Sequence, residues 1–455
     1  MLRDERAADG PPWHASGPAP TSRRPAALVC DAWTFPGFRT SGGAGQPAMA
    51  ASVDRLPGVV TGPGYGAQMR LLHTSDWHLG RSFHGAPLLA AQVAALDAMV
   101  ALVRAERIDV VLVAGDLYDR QLPPVDAVEA MSHALAELRG AGAQVVAISG
   151  NHDSGRRVGF GDRLLARAGV HVRGDVRTAG EPVVVPAADG GPDLAVYPIP
   201  YLEPELARHH LDVAGARGHE AVLRAALGRA RADADRRGRM RRVAMAHAFV
   251  AGGTPCDSER VLSVGGAGLV PVRCFAGFDY TALGHLHGRQ VFSGGRVRYS
   301  GSPVAYSFSE RAQVKSVEIV EIDADGTARA QAAILPAGRG LAAIRGEFAD
   351  LLTGRAHAGA ERCWVQATVT DPLLPRDAMA RLRGRFPHAV VLLHEPPAVD
   401  GGGASYRERT RGLDDLALMQ RFLAEMTGAD PGAEDRAELR TAIDEVGRSG
   451  AEAGP

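Results

Sequence analysis

From residue 69 onward, short apolar stretches alternate with longer segments whose apolar positions recur at helical spacing. The stretches at 70–74, 108–113 and 144–148 predict strands, and helices are predicted between them at about 88–107 and 125–139. Strands that alternate with helices in this way predict a parallel sheet at the start of an α/β domain. The second and third strands are apolar at consecutive positions, which indicates burial on both faces.

After about residue 190 the predicted strands lie closer together. The predicted elements are a helix at about 219–237 and strands at 194–199, 242–246, 280–283, 290–293, 297–300 and 316–322. The last three strands follow one another with little intervening chain, which predicts an antiparallel finish. We therefore expect a mixed α/β fold (α+β in its second half) and not a purely parallel sheet.

The two ends of the chain differ from this central region. Residues 1–68 are rich in Pro, Gly, Ala and Ser without a sustained period, so we expect a disordered or mis-assigned N-terminal extension. A boundary near 336–340 separates the main domain, 69–338, from a small βαβ unit within 339–400, with strands at 363–370 and 389–393 and a helix near 376–385. Residues 401–455 then predict a linker and two short helices, the first with Leu416, Leu418, Met419, Phe422 and Leu423 close to one face.

Composition excludes several classes of protein but identifies no partner. The 51 Lys and Arg residues nearly balance the 52 Asp and Glu residues, so net charge gives no argument for nucleic-acid binding. Lys315 is the only lysine, which we attribute to GC-rich codon usage. No apolar run approaches the roughly 20 residues of a membrane helix, and four scattered cysteines predict a protein of the reducing cytoplasm.

Candidate chemistry is concentrated in polar clusters, each of which directly follows an apolar strand. The five clusters are Asp76-Trp77-His78, Gly115–Asp119, Gly150-Asn151-His152-Asp153, His247 and Gly284–His287. Because ligand sites form where the carboxyl ends of strands meet, separate segments can deliver these side chains to one place.

The residue types suit a pair of divalent metals. Two cations about 3.5–4 Å apart can clamp the attacking and leaving oxygens of a phosphoryl displacement, and a shared carboxylate reduces their repulsion. Asp116 suits the bridging role, because it ends a buried strand and Gly115 permits a sharp exit turn. Shells that mix imidazole with oxygen favour Mn or Fe over Mg.

Each cluster alone has a simpler interpretation. Asp76 and His78 form a weak pair, His247 alone is more often a core histidine, and the segment at 115–119 resembles a strand-to-turn exit. Five such clusters at strand ends, in this order, favour the metal interpretation.

The motifs at these positions resemble those of a known family. They are 72–81 (LHTSDWHLGR), 114–119 (AGDLYD), 149–154 (SGNHDS), 246–253 (AHAFVAGG), 258–260 (SER), 280–287 (YTALGHLH) and 299–303 (YSGSP). The chain is similar here to the calcineurin-like metallophosphoesterase superfamily and, within it, to the family of SbcD nuclease subunits. The match runs from Met69 to about residue 340, continues more loosely to about 430 and does not cover 1–68.

The resemblance implies a four-layer αββα sandwich for 69–338, with 339–400 as a capping domain. It implies one metal held by Asp76, His78, Asp116 and His287, and a second held by Asp116, Asn151, His247 and His285. His152 would stabilise the transition state or protonate the leaving oxygen, and Asp153 would orient the cluster. Asp119 stands where some relatives place a second catalytic histidine. Arg81 and His84 are either contacts to the DNA backbone or ordinary loop residues.

The resemblance also implies an activity and partners. The activity is hydrolysis of DNA phosphodiesters, as a double-strand 3′–5′ exonuclease and a single-strand or hairpin endonuclease with two Mn²⁺ ions. The partner is an SbcC-like ATPase of the SMC type, docked by the helices of 401–455, with a dimer of nuclease subunits acting on DNA ends in the cytoplasm, at the nucleoid. The alternative is a metallophosphodiesterase or phosphatase acting on nucleotides or phosphoproteins, because a metal site alone does not define the substrate.

Overall fold

The protein is described from a computed structural model over residues 68–213, 215, 217–260, 268–336, 338–397 and 410–452. The predicted N-terminal extension, up to residue 67, and most of the predicted linker lie outside the described residues. Within these ranges, no helix combines the length and the apolar character needed to cross a membrane. Cys256, Cys274 and Cys363 are free thiols.

Two six-stranded sheets form the centre of the main domain. In spatial order, the first sheet consists of Ala328–Ile334, Ser316–Asp323, Gln68–Thr74, Val110–Ala114, Gln144–Ile148 and Val170–Arg173. The second sheet consists of Gln290–Phe292, Val297–Tyr299, Tyr280–Gly284, Arg241–His247, Leu194–Pro198 and Val183–Val185. The four strands of the first sheet from Gln68–Thr74 to Val170–Arg173 are parallel, as are Tyr280–Gly284, Arg241–His247 and Leu194–Pro198 in the second.

The two sheets pack face to face, and helices cover their outer faces. Leu71 and Leu112 of the first sheet meet Val196 and Tyr280 of the second in a fully buried core. Helices Leu89–Glu106 and Val125–Gly140 pack on the other face of the first sheet, and helix Gly218–Arg237 packs on the second. This order of helix, sheet, sheet and helix confirms the predicted four-layer αββα sandwich.

The remaining elements are short. The other helices are Gly155–Val158, Asp162–Arg167, Pro204–His210, Phe348–Thr353, Ala378–Arg385, Asp415–Thr427 and Ala433–Glu452. Short 3₁₀ helices occupy Val176–Thr178, Val272–Phe275, Ser293–Gly295, Phe308–Glu310 and Arg355–Ala360. Two two-stranded ribbons pair Ser82–Phe83 with Ala86–Pro87 and Phe249–Val250 with Leu269–Val270.

The predicted antiparallel finish is correct only in part. Val297–Tyr299 pairs antiparallel with Gln290–Phe292 but parallel with Tyr280–Gly284. Ser316–Asp323 lies in the other sheet, antiparallel to Gln68–Thr74. The chain therefore crosses from the second sheet to the first between Tyr299 and Ser316, and short spacing along the sequence does not reveal such a crossing.

A third sheet follows the main domain. Its three strands, Leu341–Gly346, Trp364–Val369 and Ala389–His394, are all parallel, with Phe348–Thr353 and Ala378–Arg385 among the connections. The sequence pattern predicts the second and third strands but misses Leu341–Gly346. That strand lies at the sheet edge and is only partly buried, so it carries few large apolar residues.

Candidate metal centre

All five polar clusters lie at the carboxyl ends of parallel strands, where the edges of the two sheets meet. Asp76, Asp116 and Asn151 follow adjacent strands of the first sheet, and His247 and His285 come from adjacent strands of the second. The structure thus brings together side chains that are up to 211 residues apart in sequence, from Asp76 to His287.

The backbone takes unusual conformations where it presents these side chains. Asp76, His78, Asp116 and His285 all have positive φ, at 54°, 44°, 50° and 108°. Non-glycine residues rarely adopt such angles, and they concentrate at functional sites because the surrounding fold must hold them there.

Asp116 lies at the centre of the cluster. Its Oδ2 is 3.5 Å from both His78 Nε2 and His247 Nε2, and 4.0 Å from His152 Nε2. Its Oδ1 accepts a hydrogen bond from the backbone N–H of His152 at 2.9 Å. The carboxylate is buried and has imidazoles on several sides, as expected of a shared ligand.

Asn151 and Asp76 connect this centre to the second sheet. The Oδ1 atom of Asn151 is 2.9 Å from His247 Nε2 and 3.3 Å from His285 Nδ1. The backbone N–H of His285 donates to the carboxylate of Asp76 at 3.0 and 3.1 Å. Asp76 lies within 4.8 Å of donor atoms of two groups, one with His78 and His287 and one with Asp116 and His247.

The orientation of two histidines favours a cation between them. His78 Nε2 and His287 Nε2 approach to 3.1 Å, while His287 Nδ1 is 2.7 Å from the Ser258 hydroxyl. Nδ1 of His78 is buried and has no hydrogen-bond partner within the described part of the chain. Convergent imidazole nitrogens, carboxylates and one amide oxygen are the donors that a divalent transition metal takes, so this set fits such an ion.

Electrostatics keeps most of these rings neutral. Burial lowers the pKa of His78 and His285 well below the ordinary value, and it lowers the pKa of His287 to about 4. Burial also opposes a charge on His247, but the neighbouring Asp116 carboxylate outweighs it and raises the pKa of His247 to about 9. The neutral rings of His78, His285 and His287 offer lone pairs at pH 7, whereas His247 has to release its proton when a metal ion binds.

The pKa values of the Asp116 and Asp76 carboxyl groups are shifted in opposite directions. Burial works against the charge of Asp116, but His247 and His78 outweigh it and hold its pKa well below the ordinary value. Burial raises the pKa of Asp76 to about 7. The centre therefore contains one firm anion, Asp116, among largely neutral donors.

The two predicted catalytic residues lie beside this centre. His152 Nδ1 is 2.8 Å from the carbonyl oxygen of Asp119, which fixes the ring with Nε2 toward Asp116. Asp153 accepts backbone N–H bonds from Gly150 at 2.9 Å and from Leu117 and Tyr118 at 3.0 Å. Asp153 thus connects the loop of Asp116 to the loop of Asn151, and both of its carboxylate oxygens accept backbone hydrogen bonds there.

Arg81 and His84, for which the sequence allows two interpretations, have different surroundings. Arg81 donates a hydrogen bond to the carbonyl oxygen of Ser258 at 2.8 Å, and its guanidinium lies over the Tyr306 ring. Its described contacts are therefore within the protein. His84 is exposed and packs beside Phe83 and Phe308.

Several residues around the ligands are not predicted from the sequence. Gln92 donates to the carbonyl oxygens of Trp77 and His78, and the Tyr306 hydroxyl donates to that of Trp77 at 2.6 Å. Glu310 and Lys315 lie behind His287 and are connected to it through Ser258. Ser258 belongs to one of the resembling motifs, but the others carry no signal at a spacing that links them to the site.

Comparisons with known proteins agree with this geometry. The family model of calcineurin-like phosphoesterases matches residues 69–221, and the model described as the type 5 capsule protein repressor C-terminal domain, SbcD_C, matches residues 338–427. The SbcD subunit of the nuclease SbcCD from Bacillus subtilis (strain 168) is 36% identical over 290 residues, which cover 60% of this chain and 71% of that protein.

Solved structures overlap only loosely. The protein TT1561 of Thermus thermophilus is 12% identical, with a TM-score of 0.34 over 58% of this chain and 98% of that one. A dimetal phosphatase from Danio rerio is 12% identical, with a TM-score of 0.33 over 59% of this chain and 99% of that one. The identity and coverage of the curated relative, together with the matched family models, show that the chain belongs to the SbcD family of nuclease subunits within the calcineurin-like phosphoesterases.

Proposed function

We propose that this chain is the nuclease subunit of an SbcCD-type complex and hydrolyses DNA phosphodiesters with two divalent metal ions, most favourably Mn²⁺. The observation that carries the proposal is the convergence of carboxylate, imidazole and amide donors from five strand ends around Asp116. The family assignment supplies the substrate class, since the site alone fits other phosphoesters.

The metal ligands are proposed as two sets that share Asp116. Asp76, His78 and His287 complete the first set, and Asn151, His247 and His285 complete the second. When bound, the two ions supply Lewis-acid activation of a water molecule and neutralise charge on the phosphoryl oxygens.

His152 supplies a proton to the leaving oxygen. Its Nδ1–H is held by the carbonyl oxygen of Asp119, so Nε2 bears a proton only in the imidazolium form. Burial lowers the pKa of His152, so Nε2 is mostly unprotonated at neutral pH and must take up a proton from water before it can donate one. We assign to His152 Nε2 the transfer of this proton to the leaving oxygen as the P–O bond breaks. Asp153 is a positioning residue, because its contacts are backbone amides and not the reacting atoms.

The domain assignment follows from the same family relation. We propose 69–338 as the catalytic domain, 339–400 as the capping domain and 401–455 as a linker and partner-binding segment. The proposed capping domain contacts the catalytic domain through Trp364, which packs near Phe83 beside the first ligand loop. This contact supports a role of the capping domain in shaping access of DNA to the metals.

Two sets of exposed apolar side chains support the proposed partners. On helix Asp415–Thr427, Met419, Phe422 and Met426 are 37%, 55% and 57% exposed, and this helix is the proposed docking site for an SbcC-like ATPase. Val125 on helix Val125–Gly140, Phe160 just before helix Asp162–Arg167 and Leu164 on that helix are 71%, 86% and 71% exposed. We propose these residues as part of a contact between two nuclease subunits.

A cleavage assay separates this proposal from a small-molecule phosphodiesterase. The full-length chain with Mn²⁺ is offered hairpin DNA, linear duplex DNA and bis(p-nitrophenyl) phosphate, with and without an SbcC-like ATPase. We expect cleavage of both DNAs, stimulated by the ATPase, while the generic ester is unaffected by it. Hydrolysis of the generic ester without any DNA cleavage would contradict the proposal.

A further inference from the structure

The only lysine of the chain lies directly behind the metal centre. Lys315 is the single lysine among 51 basic residues, and its side chain is only 9% exposed. Codon usage explains why the other cations are arginine, but it does not explain why this buried position is an exception.

The surroundings of Lys315 suit a compact ammonium group. Nζ lies 2.5 Å from Glu310 Oε2, 2.9 Å from Gln313 Oε1 and 3.0 Å from both the carbonyl oxygen of His287 and Ser302 Oγ. These four acceptors converge on one point. An ammonium directs its three donors from a point, whereas a guanidinium is a planar fork with additional atoms. Since Glu310 and Ser302 are buried, an arginine at this position would displace them.

Hydrogen bonds lead from Lys315 to a proposed metal ligand. Glu310 Oε1 accepts from the Ser258 hydroxyl at 2.7 Å, and Ser258 Oγ is 2.7 Å from His287 Nδ1. The Ser258 hydroxyl has a single proton, which it donates in the hydrogen bond to Glu310. Ser258 Oγ must therefore act as the acceptor for Nδ1–H of His287. That leaves the lone pair on His287 Nε2, which faces His78 Nε2 at 3.1 Å.

We propose that Lys315, Glu310 and Ser258 form a positioning relay that fixes the tautomer and orientation of His287 toward the metal. The inference rests on the proposed function, because it takes His287 as a ligand. The ammonium keeps the buried Glu310 carboxylate charged, the carboxylate holds the proton of Ser258, and the hydroxyl oxygen holds Nδ1–H of His287. Partners of this kind change metal affinity by about 10–100-fold when they are removed.

The test measures Mn²⁺ affinity of the full-length chain by calorimetry and by the electron paramagnetic resonance signal of free Mn²⁺. Lys315→Arg keeps the charge but not the shape, and Lys315→Met keeps the length but not the charge. We expect each to weaken binding at one site by about 10–100-fold. Arg311→Met is the matched control, because Arg311 is exposed on the same loop, and we expect its affinity to equal that of the wild type.

Ser258 provides a variant that leaves the buried ion pair in place. Ser258→Ala is expected to weaken Mn²⁺ binding as much as Lys315→Arg does, and Ser258→Thr is expected to restore it. The double variant Ser258→Ala/Lys315→Arg should bind no more weakly than either single variant, because both break one chain of hydrogen bonds.

The outcomes separate the relay from the metal site itself. Wild-type affinity in Ser258→Ala, or losses that simply add in the double variant, would overturn the relay while the proposed metal site stands. If the wild-type chain binds no Mn²⁺, the ligand assignment fails and the relay fails with it. Should Lys315→Met not fold, the two Ser258 variants still decide the question.

Discussion

Replacing Gly150 by alanine tests whether the position of Asp116 determines the activity. A Cβ atom on Gly150 would lie 2.1 Å from Asp116 Oδ1 and 2.4 Å from the backbone nitrogen of Asp116. The Asp116 side chain can rotate away from this contact, but the Asp116 backbone nitrogen can move only if the main chain moves. Because non-bonded heavy atoms settle at about 3.5 Å, one of the two loops must move by about 1 Å.

The size of the effect follows from that displacement. Overpacking of a buried position costs about 1–3 kcal/mol of folding free energy, which a domain of this size tolerates. A displacement of about 1 Å at a reacting centre costs about 100-fold in rate, or about 2.7 kcal/mol of transition-state stabilisation. We therefore expect Gly150→Ala to remain folded and to lose about 100-fold in kcat/KM.

The assay combines urea unfolding with Mn²⁺-dependent cleavage of hairpin DNA. Gly140→Ala is the control, because a Cβ atom there, at the end of helix Val125–Gly140, meets nothing within 4 Å apart from its chain neighbours and the backbone of its own helix. We expect it to cleave like the wild type. A Gly150→Ala variant with kcat/KM within about threefold of the wild type, less than 1 kcal/mol of transition-state stabilisation, would refute the argument that Asp116 must stay where it is.

Further predictions concern the proton donor, the partners and the N-terminal extension. His152→Ala should lower cleavage by about 10²–10⁴-fold while Mn²⁺ affinity stays nearly unchanged, with exposed His209→Ala as the control; a loss of metal would mean that His152 is a ligand. Phe422→Asp should abolish pull-down of the SbcC-like ATPase but leave hydrolysis of the generic ester intact, and persistent binding would contradict the docking assignment. Phe160→Asp should convert a dimer to a monomer in light scattering, whereas an unchanged mass argues against that contact. A chain that starts at Met69 should keep full activity, and a failure to fold would show that the preceding residues are needed.

Much of the main domain can be predicted from the sequence, because its buried strands are runs of consecutive apolar residues. Val110–Ala114 and Gln144–Ile148 consist almost entirely of buried apolar residues, and Gly115 and Ser149 directly after them mark where the strands end. The pattern fails where burial is incomplete. Edge strands such as Ala328–Ile334 and Leu341–Gly346 carry alanine and arginine at partly exposed positions, so nothing distinguishes them from loops.

The proposed ligand residues are predictable for a different reason. Each one stands at a place where packing offers no role for a polar side chain, directly after a buried strand. The supporting residues lack this signal, because their partners are distant in sequence. Glu310 resembles an ordinary loop acid, and its role depends on a fold that brings Ser258 within 2.7 Å. Lys315 is conspicuous in composition, but only the structure shows its four acceptors.

Anomalous scattering from a crystal grown with Mn²⁺ tests the central claim most directly. We predict two manganese peaks about 3.5–4 Å apart, with the Asp116 carboxylate between them. Peaks that avoid Asp116, or a single peak without contact to Asn151 and His247, would contradict the account.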